Sequence, residues 1–108
     1  MKQQIVDHFN HSAQTALASG ESLADDILRA SEAMLDTLDN GGKLLLCGNG
    51  GSATDAMHFS AELLVRFQKE RKALPAVALV SDTATLTATG NDYAFDQIFS
   101  RQIEALAT

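Results

Sequence analysis

The run Lys-Leu-Leu-Leu-Cys-Gly at residues 43–48 passes without interruption into Asn-Gly-Gly-Ser at 49–52. No other stretch restricts the fold so tightly. A short, continuous apolar run suits a strand covered on both faces, as in a parallel sheet. The glycines after it let the backbone turn sharply and approach a ligand closely. A helix is then predicted from Ser52 to about Phe67. A second run of the same kind, Pro75–Val80, follows a charged connector at 68–74.

Helical patterns flank these strands. Ile5, Phe9, Ala13 and Ala16 recur at steps of three and four, which predicts a helix over 2–18. Ser19-Gly20 breaks that pattern. A second helix is predicted from Ser22 to Asp39, with Leu23, Ile27, Ala30, Met34 and Leu38 as its stripe and Asn40-Gly41-Gly42 as its stop. These helices either pack on the domain or form a subunit interface. After the second strand, a short helix is expected to end at Gly90 and a last one to run from Asp92 to Leu106. The order ααβαβαα reads as α/β with a parallel sheet. Two strands are few for a sheet buried on both faces, so the chain reads as an unfinished domain.

The glycine loop opens a helix, where unpaired amides and the positive end of the helix dipole attract anions. Ser52 is placed to cap that helix, with Asp55 three residues on completing a capping box. The segment is therefore either a phosphate cradle or a tight turn with a good cap. It is not a Walker loop, because no Gly-Lys-Ser/Thr follows. Gly48, Gly50 and Ala53 fit a dinucleotide fingerprint, but the acid that should follow roughly 20 residues on is missing, since Asp82 comes too late. A small phosphorylated metabolite fits better.

Charge and composition narrow the function classes. The 108 residues carry a net charge of −6 and no basic cluster, which argues against direct nucleic-acid binding. No segment reaches the apolar length that spans a bilayer, and the N-terminus has no secretory run. A single cysteine, Cys47, allows no internal disulfide, so a cytoplasmic protein is expected.

Beyond the loop, His58, Glu62 and Arg66 stand at i, i+4 and i+8 on one helical face, while Ala56, Phe59, Leu63 and Phe67 form the neighbouring core face. His58 and Glu62 suit a zinc ion. Glu62 alone suits a general base. The spacing equally suits a solvated face with a Glu62–Arg66 pair. His8 and His11 read as surface residues.

Taken together, GKLLLCGNGGSATDAMHFSAELLVRF, LPAVALVSD and TATGNDYAFDQIFSRQIEAL resemble the sugar isomerase (SIS) domain family, and within it the phosphoheptose isomerases. The resemblance covers essentially the whole chain. It implies a flavodoxin-like three-layer α/β sandwich with a parallel sheet. It also implies a helical N-terminal extension (1–40) that builds a homotetramer, and a core that begins at 41–108. By the resemblance, Asn49, Gly50, Gly51 and Ser52 contact a phosphorylated sugar. Glu62 carries a proton between the first two carbons of sedoheptulose 7-phosphate, and His58 and Glu62 supply two ligands of one zinc per subunit. Arg66, Asn91 and Asp92 line the pocket.

Members of the family continue with a third strand, a Ser/Thr-rich phosphate loop and a helix bearing a Gln and a His. The 108 residues are thus expected to be the N-terminal half of such a domain and, on their own, not to turn over substrate. A non-catalytic SIS relative that binds the bacterial replication initiator is the competing reading. That group lacks the acid at the position of Glu62, which this chain has.

Overall fold

Helix α1 runs without a break from Lys2 to Asp39 in a computed structural model that describes all residues, 1–108. The two helices expected on either side of Ser19-Gly20 are one. A glycine inside a helix costs about 1 kcal/mol relative to alanine, which weakens a helix without ending it. The Ser22 hydroxyl donates to the Ala18 carbonyl at 2.9 Å, bridging the expected break. The stop at Asn40-Gly41-Gly42 forms as the sequence predicts. Gly41 has φ 78°, its amide donates to Leu38, and Gly42 donates to Thr37 at 2.8 Å. That pair of bonds is a Schellman closure, and a side chain at Gly42 would collide with Thr37.

The chain divides into two units, Met1–Asp36 and Thr37–Thr108. The first is the bulk of α1, which has no buried residue. The second is α/β. Strand β1 (Leu44–Leu46) pairs in parallel with β2 (Ala76–Ala78), Leu45 opposite Val77. Further bonds, Leu44 to Pro75 and Leu79 to Leu46, extend the ladder at both ends. Helix α2 (Gly51–Leu64) makes the crossover between them. Both strands are shorter than the apolar runs that announced them. Cys47 lies past the end of β1 and is exposed.

The core of this unit is built from small residues. Ala56 on α2 and Ala76 on β2 are buried, with Leu79 and Ile98 beside them. Ser60 is also buried, and its hydroxyl faces the Ala76 carbonyl at 3.4 Å. Small side chains at these points let the helix lie close to the strand. The core face expected along Ala56, Phe59, Leu63 and Phe67 is therefore displaced toward Ala56 and Ser60. Phe59 and Phe67 are exposed, Phe67 at 72%.

Helix α3 (Thr83–Asp92) passes through Gly90. The single last helix expected over 92–106 is instead a 3₁₀ turn, Phe95–Gln97, and helix α4, Ser100–Leu106. The break at extended Ala94 lets Ile98 enter the core. It also lets the Gln102 amide tie α4 to the Leu79 carbonyl at 2.8 Å.

Candidate functional site

Entry into α2 depends on Gly50. Its φ of 58° and ψ of −123° lie where L side chains are strained, and its carbonyl accepts the amides of Ala53 and Thr54. The helix begins one residue earlier than Ser52, so the expected Ser52 cap and capping box do not form. Gly50 is the cap position and no side chain caps the helix. Ser52 lies in the first turn, its amide given to the Asn49 carbonyl at 3.0 Å. The amides of Gly50 and Gly51 meet no backbone acceptor. Gly48 is required for packing, since a Cβ there would fall 2.7 Å from Ser52.

The loop forms one wall of a cleft of about 510 Å³, through Gly48, Asn49, Gly50 and Ala53. The facing wall is largely apolar, with Val80, Leu86, Phe95 and Phe99. Ser52 faces elsewhere, into a shallow depression with Asp55 and Cys47.

His58 and Glu62 do come together. The His58 Nε2 stands 3.0 Å from Glu62 Oε1, with the histidine ring well exposed and the carboxylate half-buried. With Asp55, Phe59 and Phe67 they line a second cleft of about 330 Å³. This is not the cleft of the glycine loop. Gly51 and Glu62 are eleven residues apart on one helix, roughly 17 Å along its axis. The Glu62–Arg66 pair does not form. Glu62 turns back to His58, and Arg66 turns forward to Glu70 at 3.2 Å. Asn91 donates to Asp92 at 3.0 Å on the exposed end of α3, and neither residue lines these clefts.

His58 and Glu62 match zinc in kind, imidazole with carboxylate, and offer two of the four ligands it takes. No group of three or more His, Cys, Asp and Glu side chains converges.

Two residues gain roles that the sequence did not suggest. Asp82, considered only as a ribose-binding acid, caps α3. Its carboxylate accepts the amides of Ala84 and Thr85 and the Thr85 hydroxyl at 2.6 Å. These bonds, the hydroxyl's first, hold its pKa below the usual carboxylate value. The signal was legible, since Ser81-Asp82 precedes a helical run. Arg71, one charge among several in the connector, reaches the end of α2. Spacing alone gives no hint of that.

The chain matches the model of the SIS domain over residues 8–108. It is 56% identical over 106 residues to the phosphoheptose isomerases of Shewanella loihica and Shewanella sediminis, covering 98% of this chain and 54% of each of them. Among solved structures, phosphoheptose isomerase GmhA from Neisseria gonorrhoeae superposes with a TM-score of 0.89 at 45% identity, covering 97% of this chain and 54% of that one. A phosphoheptose isomerase from Francisella tularensis gives 0.91 at 46%, covering 96% and 55%. The chain spans about half the length of the curated relatives it matches.

Proposed function

The chain belongs to the SIS domain family, and from that membership we propose that it serves a phosphosugar isomerase converting sedoheptulose 7-phosphate to D-glycero-D-manno-heptose 7-phosphate. The observation that carries this reading is the His58–Glu62 contact on the helix that rises from the glycine loop. In the ketose, the proton on C1 is acidified by the neighbouring C2 carbonyl. Glu62 takes that proton, leaving an enediol, and returns it to C2. The proton on O1 moves to O2, so the carbonyl ends at C1 and the sum of atoms is unchanged. Oε1 faces His58, which fixes the carboxylate and leaves Oε2 for the proton. The open amides of Gly50 and Gly51 bind the sugar phosphate, with Asn49 beside them on the cleft wall, and the family resemblance adds Ser52 to the same contact. Arg66, Asn91 and Asp92, which line neither cleft within this chain, join the pocket by the family resemblance and in the assembly.

A zinc ion would be held by His58 and Glu62, with further ligands from elsewhere in the assembly. When bound, it would stabilise negative charge developing on the sugar oxygens.

The two clefts bear on assembly. The loop and Glu62 open into different clefts of the same chain, which favours a pocket completed by more than one subunit. The exposed apolar stripe of α1 points the same way, and a homotetramer is the assembly we infer. No helix is long and apolar enough to cross a membrane. The reaction and the free thiol of Cys47 suit the cytoplasm.

The test follows the protein, as its gene encodes it, with sedoheptulose 7-phosphate in deuterated water by proton NMR. The aldose should accumulate with deuterium at C2. Glu62→Gln keeps the shape and removes the base, so turnover should fall by about 100-fold or more with KM little changed. Wild-type protein without turnover would end this reading. Zinc titration of wild type and His58→Ala checks the metal, and equal affinity would remove His58 from it.

A further inference from the structure

Helix α2 ends in a different way from α1. No glycine follows it, and neither its cap residue Val65 nor any residue just beyond is in the left-handed conformation that closes many helices. Its last turn also contains no basic residue. The final carbonyls of a helix lack intrahelical partners and carry the negative end of its dipole. Here they are met from the connector. Arg71 Nη2 donates to the Glu62 carbonyl at 2.6 Å. Its Nη1 is shared among the carbonyls of Leu63 at 3.0 Å, Val65 at 3.3 Å and Lys72 at 3.0 Å. The Leu74 amide adds a second bond to Leu63. The Glu62 carbonyl has no backbone donor, so the guanidinium is its partner.

We propose that Arg71 is the positioning residue for Glu62. It clamps the peptide unit from which the proton-carrying carboxylate projects and holds that carboxylate against His58. Arginine suits the task because its planar fork satisfies several carbonyls at once, where lysine offers a single point of charge. Arg71 is itself half-buried, while Lys69, Glu70 and Lys72 around it are exposed. Without the clamp the turn from Glu62 to Val65 frays, and a catalytic group displaced by a fraction of its reach loses rate rather than substrate affinity.

The proposal rests on Glu62 as the proton carrier, and its test separates the two ideas. In the protein as its gene encodes it, Arg71→Ala should lower kcat for sedoheptulose 7-phosphate by about tenfold with KM within about twofold. Guanidinium added in solution should restore part of that loss. Arg71→Lys, which keeps stem and charge and so preserves the fold, should recover only part of the rate. Lys69→Ala should match wild type. Hydrogen exchange should quicken at the Leu64 and Val65 amides and stay unchanged in α3. Wild-type turnover with equal kcat in both Arg71 variants overturns the proposal alone, as does a loss confined to KM. Wild-type protein without turnover overturns the isomerase reading and this proposal with it.

Discussion

At the scale of single residues, the carboxylates of this protein do different work because they have different neighbours. Glu62 has an imidazole at one oxygen and a cleft in front of it. Asp82 spends its oxygens on the first turn of α3. Its lowered pKa carries a consequence for stability. The ionised cap favours the fold fully above the unfolded pKa of about 3.9, and that contribution is lost as pH falls through the lower folded value. Asparagine caps nearly as well and does not titrate. Thermal midpoints of wild type and Asp82→Asn should therefore differ most near neutrality, and the gap should shrink as pH falls through the lowered folded pKa of Asp82. A gap that is constant with pH would show that the charge of Asp82 contributes nothing.

At the scale of elements, the approach to α2 is set by backbone conformation. Gly50 has open space around its Cβ position, so nothing would collide with a side chain there. The obstacle is its φ of 58° with ψ of −123°. Gly50→Ala should cost about 1–3 kcal/mol by denaturant unfolding, through strain alone. An unchanged midpoint would mean the loop relaxes without penalty. This loop also shows what sequence could reveal. Three glycines between an apolar run and a helical pattern announced strand, turn and helix in the right order. The exact start of α2 was not legible, because Ser52 is a good cap in isolation and Gly50 turned the chain first. Periodicity placed His58 and Glu62 together correctly but could not rank Arg66 against His58 as the partner of Glu62. It was silent on Arg71, whose contact closes nine residues from Glu62 through an irregular connector.

At the scale of the whole molecule, the unsatisfied surface is the long helix. Phe9 is 74% exposed and Ile27 57%, and no residue of α1 is buried. If that surface is an interface, a charge in its middle would be buried unpaired on assembly. Ile27→Asp should convert an oligomer to monomer in sedimentation or light scattering. Wild-type protein that is monomeric at high concentration would reject the assembly. The absence of a break at Gly20 adds something that the two separate stripes did not contain. With the helix continuous, Phe9, Ala13, Ala16, Gly20, Leu23, Ile27, Ala30 and Met34 alternate by four and three throughout. Gly20 keeps the phase rather than interrupting it. A seam with a period of three and a half residues slips around a straight α-helix by about 20° per heptad, or roughly 70° between Phe9 and Met34. A neighbouring helix that stays on this seam must coil around α1 with a left-handed twist. The spacing on either side of one glycine thus fixes the handedness of the contact, and one residue added or removed there would turn the two halves of the seam to different sides of the helix.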